Sequence, residues 1–345
     1  MRKTSQNQEG SARETIKTRG KTVSGIETPK KEPDTVAMTI AEIDLRDPSL
    51  YVNRELSWLE FNRRVLEEAQ DPLTPALEKL KFASIFSSSL DEYFMVRVGG
   101  LYQILESDLE HMDPSGRTLR QELDHISTKA RELVDEQYRY VMEEILPQLE
   151  KEAGIFIHRI EELDADEQNR LTAYFEEQVF PILTPFAVDA GHPFPFLGNL
   201  RLNIMAVFKE PNGAKITKAY AFVEAPSVVP RLIPVQVNEK KGYHFVLLEA
   251  LICRHIQQLF PGMEITHTIT LRVSRSHDYD LHEDEVMDLV QAMETELRDR
   301  AKQIVVRIEI ESGTPKKILT LLSQMLHIDD RFIYEINGPL NICDL

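Results

Sequence analysis

The sequence predicts an α+β protein, with an all-helical amino-terminal bundle followed by a mixed α/β domain. Three observations lead there. From residue 47 to about 151, apolar residues recur at helical spacing between short turn signals. Beyond Gly154, short β-branched and aromatic runs alternate with amphipathic stretches. A chain of 345 residues also has room for two or three domains of roughly 100–200 residues each.

Residues 1 to about 36 precede that pattern. They are rich in Lys, Arg, Ser, Thr, Gly and Glu, with Ile16, Val23 and Ile26 scattered among them. Such a segment buries too little apolar surface to offset the entropy of ordering it, so a disordered tail is expected over 1–44. Glu9, Glu14 and Glu27 argue against a transit peptide, which avoids acids.

In the bundle, Asn53 is placed to cap a helix with Leu56, Leu59 and Leu66 on one stripe and Trp58, Phe61, Val65 and Ala69 beside it. Asp71-Pro72 ends that helix. Thr74-Pro75 reads as a cap followed by proline at the first helical position. Leu77, Leu80, Ile85, Leu90, Phe94 and Val98 supply the apolar face of the helical stretch that begins there. Asp113-Pro114-Ser115-Gly116 is a turn, and a third long helix is expected over 119–150. Long helices joined by short turns make a bundle. In the second part, strands are expected at 155–157, 203–208, 219–223, 243–248, 265–273 and 304–310. Helices are expected at 164–180, 249–259, 282–302 and 314–326.

The formal net charge of -17 favours solubility and argues against a general nucleic-acid binder, which would show a basic surface. No run approaches the ~18–20 apolar residues of a membrane helix, and the start lacks a secretory pattern. Cys253 and Cys343 stand far apart without metal-ligand spacing, so neither a disulfide framework nor a zinc site is expected. A reducing, cytoplasmic compartment fits that usage.

Candidate chemistry in the chain is sparse. Gly313-Thr314-Pro315-Lys316-Lys317 joins a strand to a helix, but Pro315 removes an amide that a phosphate loop would use, so it reads as a capped helix start. Asp91 and Glu92 are adjacent on a helix and diverge by about 100°, which suits a salt link to Arg97 or another base better than acid/base work on one atom. The run from His277 to Glu285 is acidic but lacks calcium-loop spacing, and it precedes a helix whose amino-terminal dipole favours acids. No GxSxG, HExxH or HxE…CxxC motif supplies a nucleophile or a metal, so no catalytic or metal-binding residue is assigned.

Four segments carry a resemblance. They are Tyr51 to Ala69, which opens Tyr51-Val52-Asn53-Arg54-Glu55-Leu56-Ser57-Trp58-Leu59-Glu60-Phe61-Asn62, then Leu80 to Val98 with its Ser88-Ser89-Leu90-Asp91-Glu92, then Leu183-Thr184-Pro185-Phe186-Ala187-Val188-Asp189 with His192-Pro193-Phe194-Pro195-Phe196-Leu197-Gly198-Asn199-Leu200, and lastly Gly338-Pro339-Leu340-Asn341. In this order they closely resemble the bacterial polyphosphate kinase family over about 51–345. The resemblance implies a helical amino-terminal domain over 45–150 and a head domain over 151–345. It implies a family reaction in which the terminal phosphate of ATP moves reversibly onto polyphosphate through a phosphohistidine. The histidine, the magnesium site and most of the phosphate tunnel belong to two further, catalytic domains with no counterpart here, so this polypeptide is expected to be inactive alone. The family's ATP-contacting Asn falls at Ser89, where a hydroxyl has less reach and one donor fewer than a carboxamide. The implied partners are a second copy, bound through the head domain, or a catalytic half or full-length kinase on which the chain docks as a non-catalytic module. The implied location is cytoplasmic, or peripheral to the inner membrane within a kinase complex.

Overall fold

Asn53 opens the first helix as expected. Its Oδ1 accepts from the Leu56 amide at 2.9 Å, and α1 runs over Arg54–Gln70. The computed structural model describes residues 44–107, 112–188, 194–209, 220–237, 241–277 and 303–345. The expected tail and the helix expected over 282–302 lie outside the described residues, apart from Asp44. Asp47–Leu345 forms one compact unit.

α2 covers Ala76–Glu92 and continues through a wide π turn, Tyr93–Val98, into α3, Gly99–Glu106. α4, Leu119–Tyr140, starts with a capping box between Thr118 and Gln121 and passes through a second π turn into α5, Leu146–Ala153. Leu59, Leu66, Phe86, Leu90, Phe94 and Ile126 are fully buried between these helices. Each such side chain contributes roughly 1.5–3 kcal/mol relative to exposure.

The buried stripe of α2 differs from the one expected. Ala76, Lys79, Ala83, Phe86 and Leu90 face inward, whereas Leu77 and Ile85 are exposed. Small alanines let the helices approach closely enough for buried amides to reach the α2 backbone. Asn62 Nδ2 donates to Phe86 O at 3.2 Å, and Gln137 Nε2 to Ala83 O at 2.7 Å. Phe61 likewise faces solvent. Pro75 occupies the cap position of α2 itself, in extended conformation, so Thr74 stands one residue too early to cap it.

β1, Ile155–Ile157, follows the left-handed Gly154. α6, Ala165–Tyr174, is capped by Asp164. Then come β2 (Pro185–Val188), β3 (Leu202–Phe208), β4 (Tyr220–Glu224), β5 (Leu232–Val235), β6 (Tyr243–Leu247), α7 (Leu248–His255), β7 (Ile265–Arg275), β8 (Val305–Glu311), α8 (Lys316–Leu326) and β9 (Ile333–Ile336). Thr314 does not cap α8. Its hydroxyl donates back to Glu311 O at 2.7 Å, and Pro315 again holds the cap position.

Two sheets result. The larger has the order β2-β4-β3-β7-β8-β9 and is antiparallel except for β8–β9. The smaller has the order β1-β6-β5, with β1 and β6 parallel. This is the mixed α/β domain expected. β2, β5 and β9 depart from the expected strand set. All three are four-residue edge strands, and Pro185 and Pro234 sit in two of them, where an edge tolerates a missing amide.

Residues opposed across an antiparallel pair share a face. Ile204, Ala206, Ala221 and Val223 of β3 and β4 therefore point one way, into a core shared with Leu171 and Phe175 and with Leu251 and Ile252 of α7. On the same face, farther along the sheet, β7 and β8 present Arg272, Ser274, Arg307 and Glu309 to the helical bundle. The opposite face shows Met205, Phe222, Leu271, Val273, Ile308 and Ile310, which share a core with Ile318 and Leu322 of α8.

Where β1 meets β6, Gly242 adopts φ +135°, and a Cβ there would collide with the Gly154 carbonyl oxygen. The Tyr243 amide donates to that same oxygen at 2.7 Å. Gly242→Ala is expected to lower stability by roughly 1–3 kcal/mol, read as a shift in the urea midpoint. Gly262→Ala, at φ +81° with open space around it, carries the strain without the collision and is expected to cost less.

Candidate functional site

The four resembling segments meet at one joint between bundle and sheet. Trp58 of the first stacks on Tyr93 of the second, with ring centroids 4.4 Å apart. Glu55 of the first pairs with Arg97 of the second at 3.3 Å. Burial pushes the Glu55 carboxyl above its ordinary value, against the pull of Arg97. In the third, Asn199 Nδ2 reaches Met95 Sδ at 3.0 Å, and Asn199 Oδ1 accepts from the Arg275 amide at 2.8 Å. In the fourth, Gly338 lies against Tyr138 and Met142 so closely that a Cβ would stand 3.1 Å from each.

At the centre sits Asp91. Its carboxylate is contacted by both Arg272 and Arg307, and Glu309 joins them, accepting from Arg272 Nη1 at 2.5 Å and Arg307 Nη2 at 3.3 Å. Ser274 Oγ accepts from Arg307 at 3.2 and 3.3 Å, and the Phe94 ring lies 4.7 Å from the Arg307 guanidinium carbon. All four charged side chains are buried. Burial alone would raise the Glu309 carboxyl, but Arg307 and Arg272 outweigh it and hold it below the usual 4.5. The salt link expected for the Asp91-Glu92 pair thus forms on Asp91, with Arg272 and Arg307 in place of Arg97.

Ser89 lies one turn back from the end of α2, half-buried. Its hydroxyl makes no hydrogen bond among the described residues. Its neighbour Ser87 accepts from Gln137 Nε2 at 2.7 Å. The end of the chain closes over the same helix, with Cys343 Sγ donating to Ser84 O at 3.4 Å. Arg231 anchors this end. It donates to Asn341 O at 2.5 Å and to Leu340 O, and pairs with Glu249. A cleft of about 520 Å³ opens beside it, lined by Arg201, Ser227, Glu249 and Asn341.

Neither thiol is poised for nucleophilic work. Burial pushes Cys253 up to about 12 and raises Cys343. His158 and His244 meet at 2.8 Å across β1 and β6, a pairing that residues so far apart in sequence do not announce. Among the described residues no three His, Cys, Asp or Glu side chains converge on one point. Of the acidic run beginning at His277, only His277 itself is described.

Comparison with known proteins agrees with this architecture. Residues 51–158 match the polyphosphate kinase N-terminal domain, and residues 166–345 the polyphosphate kinase middle domain. The chain belongs to the polyphosphate kinase family. Polyphosphate kinase of Thermosynechococcus vestitus is 42% identical over 307 residues, covering 88% of this chain and 42% of that protein. Polyphosphate kinase 1 of Chlorobaculum tepidum is 38% identical over 304 residues, covering 86% and 43%. The crystal structure of polyphosphate kinase from Porphyromonas gingivalis superposes with a TM-score of 0.67 at 25% identity, covering 85% of this chain and 40% of that one. The chain thus spans about two-fifths of the length of these family members.

Arg272, Arg307 and Glu309 are the residues that sequence reasoning missed. Their signal was present as charges alternating with Val and Ile in β7 and β8, a pattern that ordinarily marks a solvent face. Asp91→Asn leaves two buried cations facing one anion and is expected to cost about 3–5 kcal/mol in urea unfolding. Because the folded value of Glu309 lies below 4.5, its contribution is present above pH 4.5 and lost as pH falls through the folded value. The urea midpoint is therefore expected to drop below about pH 4.5, and to drop less steeply in Glu309→Gln.

Proposed function

We propose that this polypeptide supplies the scaffold half of an ATP–polyphosphate phosphotransferase: the helical domain, the head domain and the edge of the adenine pocket at Ser89. The observation that carries this reading is the sealed cluster around Asp91. The acid at the heart of the family segment is fully paired with Arg272, Arg307 and Glu309. A neutral, buried network positions structure and offers no free charge to a migrating phosphoryl group, which is moved by positioning and by neutralising its oxygens. Ser89, with its hydroxyl uncommitted among the described residues, is the group that meets ATP, through a shorter and less discriminating contact than a carboxamide makes. The phosphorylated histidine and the magnesium site of the family reaction lie outside the helical and head domains. With ATP, magnesium and polyphosphate, the 345-residue polypeptide alone is expected to release no ADP above a protein-free blank. Sustained turnover overturns the proposal.

The partner in solution is a second copy, bound through the head domain. Phe180, Ile182 and Phe186 are exposed at and before β2, an edge strand of the larger sheet. An exposed apolar cluster on a sheet edge invites pairing. Light scattering at micromolar concentration is expected to give a dimer, and Phe186→Glu to shift it toward monomer. A wild type that stays monomeric counts against this partner.

A further inference from the structure

Arg275 closes β7 under conditions that differ from those of its neighbours Arg272 and Arg307. Its Nε donates to Leu197 O at 2.9 Å and its Nη1 to Gln303 O at 2.8 Å. The Phe196 ring covers one face of the guanidinium, 3.9 Å from its central carbon. The residue is 7% exposed, yet no carboxylate pairs with it among the described residues. Its Nη2 makes no hydrogen bond there either and is not sealed from solvent.

A buried cation without an anion is costly. Burial alone, with no opposing charge, lowers this guanidinium to about 10. The shortage is not one of supply, because the chain has 57 acidic residues against 40 Lys and Arg. A purely structural staple between the two carbonyls would account for Nε and Nη1. It leaves unexplained the absent counter-ion, the open Nη2 and Phe196, which is 53% exposed.

We infer that Arg275 and Phe196 form a binding site for a phosphate-bearing anion, with Nη2 as its charge-assisted donor. The demand for an anion comes from the geometry, whereas the choice of phosphate rests on the proposed kinase role. A guanidinium edge suits phosphate oxygens, and the free face of Phe196 is available to a flat group carried by the same ligand. Two sources share this chemistry, a polyphosphate chain and a nucleotide.

Calorimetric titration of the 345-residue polypeptide with tripolyphosphate and, separately, with ATP at low ionic strength tests the site. Wild type is expected to bind tripolyphosphate, and Arg275→Gln to weaken it by about tenfold or more, with Arg275→Lys between them. Phe196→Ala that weakens ATP alone assigns the site to nucleotide, and an equal effect on both ligands assigns it to the phosphate chain. If Arg275→Gln does not fold, the Arg275 Nε–H resonance of the wild type replaces it. A shift on adding tripolyphosphate supports the site, and no shift overturns it. Undiminished binding by folded Arg275→Gln, or no binding by wild type, also overturns it. Either of those results leaves the scaffold reading standing, since that reading rests on the ADP assay with no requirement for anion binding at Arg275.

Discussion

Two guanidinium groups on the covered face of a sheet require two anions, and β7 and β8 supply one. Arg272 and Arg307 share Glu309 across the ladder, which leaves a unit of positive charge under the bundle. Asp91 on α2 provides the missing anion and touches both arginines. The sheet without the bundle would hold an uncompensated cation, and the bundle without the sheet an uncompensated carboxylate. Each part therefore completes the other, and a neutral interior exists only when they dock in one register. Specificity of docking, more than net stability, is what such a cluster contributes, because well-packed apolar residues could fill the same space at comparable or lower free energy.

That constraint orders the rest of the joint. With Asp91 fixed, the adjoining π turn places Tyr93 against Trp58 and Phe94 beneath Arg307, with the rings of Phe332 and Tyr334 edge-on to Phe94 at 6.2 and 5.9 Å. A straight α-helix would carry these side chains out of phase with the sheet, since the wider turn adds backbone where the partner changes from helix to strand. Asn199 ties the next residue, Met95, to β7 through its side-chain amide. The density of family-like residues around α2 thus has a mechanical cause. They fix how one domain seats on the other.

Much of this was legible in sequence, and the failures have physical reasons. Helix starts with side-chain caps, at Asn53, Thr118 and Asp164, arise from local hydrogen bonding and stand where expected or close to it. The interior strands of the larger sheet, β3, β4, β7 and β8, declare themselves by apolar or alternating runs. The edge strands β2, β5 and β9 do not, because an edge is defined by its neighbour and tolerates Pro185 or Pro234. The inward face of α2 was misjudged through Leu77 and Ile85, since hydrophobicity favours leucine whereas close helix packing favours Ala76 and Ala83. Asp91 was recognisable as an ion-pair former, but its partners lie about two hundred residues away. No local pattern distinguishes charges facing water from charges facing a second domain.

Charge matching also separates the parts of this molecule that hold structure from those left to meet a ligand. Arg231 is matched by Glu249, Arg97 by Glu55, and Arg272 with Arg307 by Asp91 and Glu309. In a chain with net charge -17 acids are plentiful, yet Lys79 and Arg275 are both buried with no carboxylate partner among the described residues. Lys79 Nζ is taken up by the Tyr140 hydroxyl and ring. An unmatched cation that also keeps an open donor marks a place where the folded chain does not complete its electrostatics. Arg275 is such a place, and it sits beside Asn199, three residues along β7 from Arg272 at the edge of the sealed cluster. The joint therefore has a neutral interior and a cationic rim. An anion arriving at Arg275 would relieve a local deficit of negative charge while the cluster around Asp91 remains neutral.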